Sequence, residues 1–177
     1  MRNFGNSLVL PVGVKKLVSI FPVLLGGVFA VFFLGCGCLY LAGFRWYQIP
    51  TASMEPTIPQ GGHVVGGLSE KYREHIERFH IAIYLSEQPP YSVYAKRVIG
   101  LSGERVTVAE GSIAVDGKNL NLPAAIDKRG LGIKTCDLVV PVDAVFVLGD
   151  NAGRSADSRF FGPIPKRNVI GRVYFKD

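Results

Sequence analysis

From Leu17 to Phe44 the chain contains no charged residue: LVSIFPVLLGGVFAVFFLGCGCLYLAGF. Charge is scarce overall, at 19% of 177 residues, but this one gap accounts for the greasiness. A buried core helix of that length without a polar face is not expected. As a helix the run reaches about 42 Å at roughly 1.5 Å per residue, enough to cross about 30 Å of hydrocarbon with some tilt. It is too long for the apolar core of a cleaved secretory signal, about 7–15 residues. FLGC, ending at Cys36, has the look of a lipoprotein processing site, but the apolar run continues past it to Phe44. The reading is an uncleaved anchor. It divides the chain into a short cytoplasmic N-terminus over residues 1–16, a transmembrane helix over 17–44 and an outer domain over 45–177.

No acid precedes this run, whereas Arg2, Lys15 and Lys16 do, and Arg45 is the basic residue close behind it. The positive-inside rule then puts the N-terminus in the cytoplasm and everything beyond Arg45 outside. These four cations supply most of the net charge of +6; the remainder of the chain has 16 basic against 14 acidic residues. No basic stripe interleaved with aromatics is left, which argues against nucleic-acid binding. Cysteine is equally scarce. Cys36 and Cys38 fall inside the apolar run and Cys136 is alone in the outer domain, so no disulfide forms within that domain. Two thiols without a nearby His or acid make no metal site. There is no G-x-S-x-G elbow, no H-E-x-x-H and no S-x-x-K. His75 and His80, five apart, do not share a helical face, and neither a metal nor another cofactor is expected.

What is present beyond Arg45 reads mainly as strand. YQIPTASMEPTIPQGGHVV, rich in Pro, Gly and Thr, reads as an extended connector. SEKYREHIERF (69–79) predicts a soluble helix with Ser69 as N-cap. HIAIYL, SVYAKRVIG, ERVTVAE, SIAVDG, AVFVLGD and NVIGRVYF are rich in β-branched and aromatic residues. VDGKN predicts a hairpin turn. The fold class is therefore mainly β: an antiparallel domain of about 130 residues behind one N-terminal transmembrane helix.

Three stretches could carry chemistry. Ser53 in TASMEPT is either a turn serine beside Pro56 or a nucleophile, and the segment alone leaves both open. In SVYAKRVIG, strand alternation puts Lys96 on a face with Tyr94 and Val98, opposite Ala95 and Arg97. A desolvated lysine can lose its proton near neutrality and act as general base towards a serine; one snorkelling from a strand edge cannot. GDNAGRSADSRFFGPIP follows the apolar AVFVL and crowds two Asp, two Ser, an Asn and two Arg into its first eleven residues. That is the composition of a solvated loop, or of one that holds a catalytic group.

Taken in order, SMEPT, KRVIGLSGE and GDNAGRSADSR resemble the three boxes of the bacterial type I signal (leader) peptidases, serine proteases with a Ser–Lys dyad. The third box, G-D-N-x-x-x-S-x-D-S-R, is the most specific, and the resemblance covers roughly residues 45–175. It implies Ser53 as nucleophile and Lys96 as general base, with Ser155 bonded to Lys96 and orienting it. It implies Asp157 and Arg159 as a supporting pair, with Asp150 and Asn151 shaping the loop. Thr51 stands where the family has a Ser or Thr whose hydroxyl joins the Ser53 backbone N–H in the oxyanion hole. Ile49, Met54, Ile58, Tyr94 and Ala95 would line shallow pockets for small side chains, giving cleavage of the Ala-x-Ala type. The implied partners are precursor proteins carrying signal peptides and the lipid bilayer, and the implied location is the bacterial inner membrane.

The chain departs from the family pattern at several points. Arg78-Phe79-His80 stands where R-G-D is frequent, and Leu101-Ser102-Gly103-Glu104 where L-P-G-D is. QGGHVVGG lacks the usual aspartate after its first glycine, and the paired-cysteine loop of some members is absent. A processing peptidase dedicated to one substrate, such as a conjugative pilin, would use the same catalytic parts. A Ser–Lys self-cleaving repressor needs a DNA-binding domain where this chain has its apolar run. A membrane-anchored β module binding a secretion component would not need Ser53, Lys96 and Ser155.

Overall fold

A computed structural model describes residues 12–67, 74–86 and 93–176, with side chains from 25 to 174 within those ranges. The chain forms two compact units, residues 1–42 and 43–177. In the first, α1 runs from Val12 to Leu41. Its described side chains begin at Leu25, about 25 Å of helix at roughly 1.5 Å per residue. Among the described residues no helix is long and apolar enough to cross a membrane. Residues 17–24 of the expected span lie outside the described side chains.

The second unit is built on two antiparallel sheets. The strands are β1 (Phe44–Gln48), β2 (His63–Gly67), β3 (Ile81–Leu85), β4 (Val93–Gly100), β5 (Arg105–Ala109), β6 (Ser112–Val115), β7 (Lys118–Asn119), β8 (Cys136–Val139), β9 (Ala144–Leu148), β10 (Ile164–Pro165) and β11 (Val169–Lys176). One sheet has the order β1-β2-β11-β3-β4-β9-β10 and the other β7-β6-β5-β8. A single turn of helix, α2 (Ser158–Phe161), follows β9.

β4 and β9 are central to the larger sheet, and both their faces are covered. Val98, Val145 and Val147 face a core with Ala82, Tyr84 and Val169. Ile99, Phe146 and Leu148 face another with Val106, Val108 and Ile113 of the second sheet. This explains why AVFVL reads as a continuous apolar run rather than an alternating one. Gly100 lets the two sheets meet, since a Cβ there would stand 2.4 Å from the Val106 side chain. The expected turn in VDGKN joins β6 and β7, with Asp116 at φ 50° and Gly117 at φ 76°. That pair of positive angles is the hairpin turn whose twist matches its strands.

Two expectations are corrected. The predicted helix over 69–79 does not reach Phe79: residues 68–73 are outside the described residues, and beyond Glu74 the chain is turn and loop. Tertiary pairing wins over propensity here. Phe79 N–H donates to Val98 O and Val98 N–H to His80 O, both at 2.8 Å, so the chain is already pairing with β4. Ile76 meanwhile enters the core beneath. The connector over 47–65 is also more regular than expected, because β1 and β2 pair in it from Phe44↔Gly67 to Gln48↔His63.

Candidate active site

Ser53 sits in a single 3₁₀ turn, Ala52–Met54, whose three residues are all buried. Met54 anchors the turn by packing into a core with Ile49, Ile58, Val64 and Ala95. The loop after β9 grips the same turn by its backbone: Asn151 N–H donates to Ser53 O at 3.1 Å and Asn151 Nδ2 to Ala52 O at 3.2 Å. Gly149 makes this approach possible, because a Cβ there would stand 2.2 Å from Ser155 Oγ and 2.5 Å from Ser53 O.

Lys96 comes from the middle of β4, on the face shared with Tyr94 and Val98. Its Nζ lies 2.6 Å from Ser53 Oγ. Lys96 is 2% exposed and Ser53 4%. Burial pushes the amine down from 10.5 to about 8, while the carboxylates of Asp157 and then Asp150 pull it partly back up. With that value about one amine in ten is neutral at pH 7, against fewer than about one in a thousand at the solution value. Thr51 Oγ1 completes the cluster, 3.0 Å from Ser53 Oγ.

Two buried ion pairs hold the loop that carries Asn151. Asp157 and Arg159, both without exposed side-chain surface, meet through Nε at 2.8 Å and Nη2 at 2.9 Å. Arg159 also donates to Gly130 O and Ala152 O, and Asp157 accepts Gly149 N–H. The pair thus satisfies backbone groups that would otherwise be buried unpaired. The second pair joins the loop to β4: Arg97 Nε and Nη2 reach the two Asp150 oxygens at 2.7 and 2.6 Å. Thr57 Oγ1 donates to the same carboxylate. Lys96 and Arg97 are neighbours on one strand, so the clamp fixes the register of the amine against the Ser53 turn. Arg97 had no assigned role in the sequence reading. Its signal was a second cation in a strand otherwise covered on both faces, which requires a buried carboxylate opposite.

Beside the Ser53–Lys96 contact opens a cavity of about 490 Å³. Tyr84, Leu85, Tyr94, Phe161 and Ile164 give it apolar walls, and Thr51, Arg154 and Asn168 are polar groups on its lining. Burial drives the Tyr84 phenol well above its ordinary value, so it stays neutral. Of the five residues expected to line pockets, only Tyr94 does so. Ile49, Met54, Ile58 and Ala95 are at most 2% exposed, because their apolar side chains turn into the core that anchors the Ser53 turn. The expected hydrogen bond between Ser155 and Lys96 is likewise not formed. The Lys96 amine is engaged by Ser53 Oγ and, at 3.4 Å, by Ala95 O, and Ser155 Oγ is buried without a partner among the described residues.

The departures from the family pattern have local explanations. Glu104, where an aspartate is frequent, meets Arg78 at 2.6 and 3.0 Å and accepts Leu101 N–H at 2.7 Å. Phe79, where a glycine is frequent, adopts φ 69°. A bulky residue rarely takes that conformation, and the Val98 pairing described above holds it there.

The family model described as signal peptidase, peptidase S26 matches residues 21–176. A probable signal peptidase I-2 from Synechocystis sp. is 33% identical over 136 residues, 72% of this chain and 60% of that protein's length. Signal peptidase I V from Bacillus subtilis is 32% identical over 145 residues, covering 75% and 84% of the two chains. A crystal structure of a signal peptidase I from Enterococcus faecalis, 30% identical, superposes with a TM-score of 0.48 over 56% of this chain and 97% of that one.

Proposed function

The chain belongs to the signal peptidase S26 family, and we propose that it is a membrane-anchored serine endopeptidase that removes signal peptides from precursor proteins. One observation carries the reading: a buried lysine amine, its pKa lowered to about 8, lies 2.6 Å from a serine hydroxyl at the edge of a cavity. Neutral Lys96 takes the proton as Ser53 Oγ attacks the scissile carbonyl, giving a tetrahedral intermediate. The negative charge on its oxygen is met by the Ser53 backbone N–H and the Thr51 hydroxyl; one such donor typically accounts for about 10²–10³ in rate. The ammonium of Lys96 then protonates the leaving amine. Lys96, neutral again, activates the water that releases the acyl group. Asp157, Arg159, Asp150 and Asn151 hold the loop.

The apolar part of the cavity wall, from Tyr84, Leu85, Tyr94, Phe161 and Ile164, suits uncharged side chains such as the alanines of an Ala-x-Ala segment before the cut. The part of the apolar run that is helical, up to Leu41, crosses the bacterial inner membrane once, with the catalytic domain outside; the expected span to Phe44 is shortened, because Phe44 already pairs with Gly67 in the sheet. The uncharged sequence of that run supports this, as do the large apolar side chains that α1 exposes, from Leu25 at 47% to Leu41 at 86%. Protease added to intact spheroplasts should reach the chain beyond Arg45; protection there would overturn this topology.

The experiment for the activity uses the full chain in lipid vesicles with a panel of secretory precursors. Cleavage directly after an Ala-x-Ala segment is expected, and should be lost with Ser53→Ala. Failure to cut any precursor by folded protein would sink the peptidase reading.

A further inference from the structure

Arg154 lines the same cavity as Ser53 and Lys96, and its guanidinium has no job there within the chain. It is exposed, and makes no side-chain hydrogen bond or ion pair among the described residues. This sets it apart from Arg78, Arg97, Arg105 and Arg159, each of which is matched to a carboxylate. Among the described residues no Asp or Glu lines the cavity. Once Lys96 is neutral, Arg154 is therefore the only charged side chain among the described residues that line the cavity. Asn168, on the same lining and half-buried, also lacks a side-chain partner among the described residues and adds a neutral donor.

A cavity whose described lining has one unmatched cation and no anion is complementary to a ligand carrying one carboxylate. We infer that Arg154 is a specificity-determining residue that selects substrates with an acidic side chain close to the scissile bond. This rests on the peptidase reading. Under that reading, small side chains occupy the first and third positions before the cut, so the carboxylate falls between them or just after the cut. A carboxylate there meets the in-plane fork of N–H donors a guanidinium offers, while a lysine in the same place meets a like charge. Because Arg154 is exposed, the selection is modest, about three- to fivefold in kcat/KM, and it weakens as salt rises.

The test uses the full chain in detergent micelles. Matched Ala-x-Ala peptides carry Asp, Asn or Lys at the second position before the cut, or at the first or second position after it. The wild type should prefer Asp over Asn at one of these positions. Arg154→Ala should bring that ratio to about one, and Arg154→Glu should invert it in favour of Lys. Peptide affinity is measured in parallel by fluorescence anisotropy on Ser53→Ala and on Ser53→Ala/Arg154→Ala, so the preference is read without turnover. No Asp preference in either readout, or one that survives Arg154→Ala, overturns the inference even if every peptide is cut. An Arg154-dependent binding preference without cleavage by wild type supports the acidic-ligand site and rejects the peptidase reading.

Discussion

Lys96→Met is expected to abolish turnover and, at the same time, to make the protein more stable at neutral pH. The loss follows from the mechanism, because a thioether cannot accept the proton of Ser53. Removing one member of such a pair typically lowers kcat by about 10⁴-fold or more, and Ser53→Ala should do the same. The gain follows from the lysine's burial. Its pKa is lowered from 10.5 to about 8 in the folded chain, so the unfolded chain binds the extra proton between those values. The folded state therefore carries a cost of about 3 kcal/mol below pH 8, which fades as pH rises and is gone above pH 10.5. Methionine has a similar length and no charge to desolvate. Urea unfolding of the full chain in micelles should give Lys96→Met the higher midpoint at pH 7 and nearly the wild-type midpoint above pH 10.5. Equal midpoints at both pH values would mean that Lys96 is not held under a desolvation cost.

The second large effect is on folding. Asp157→Ala strands the guanidinium of Arg159, which has no exposed surface, and removes the acceptor for Gly149 N–H. Breaking one side of a buried ion pair costs about 3–5 kcal/mol, against a total stability of about 5–15. The variant should be largely unfolded at 37 °C or lose a corresponding part of its urea midpoint. Asp157→Ala/Arg159→Met should recover much of that loss, since the double change leaves no unpaired charge. The exposed pair of Arg105 and Asp137, with side chains 57% and 47% exposed, provides the contrast: Asp137→Ala should change the midpoint little, as water replaces the partner. A mild Asp157→Ala phenotype would contradict the role given to this loop.

The strands that alternate, or that run apolar between turn residues, were legible because their pattern depends on a period of two and on β-branched side chains. The three boxes were legible because each is short and local. What escaped depends on long-range pairing. The helix signal over 69–79 was overridden where Phe79 and His80 pair with β4. Ile49, Met54 and Ile58 are near Ser53 in sequence, but nearness does not say which way a side chain turns, and theirs turn into the core. The cavity walls come instead from Tyr84, Phe161 and Ile164, remote in sequence and brought together by β3, α2 and β10. Arg97 finds Asp150 across the β4–β9 pairing, a contact invisible in either segment alone.

The central claim is that Lys96, neutral near pH 8, is the base for Ser53. Its most direct test is kcat/KM from pH 6 to 10 on an Ala-x-Ala peptide, for wild type and for His63→Gln and His80→Gln. The account predicts a rise of about tenfold per pH unit that levels off near pH 8, unchanged in both histidine variants. A flat profile, or a limb that levels off below pH 7 and disappears with either histidine, would contradict it.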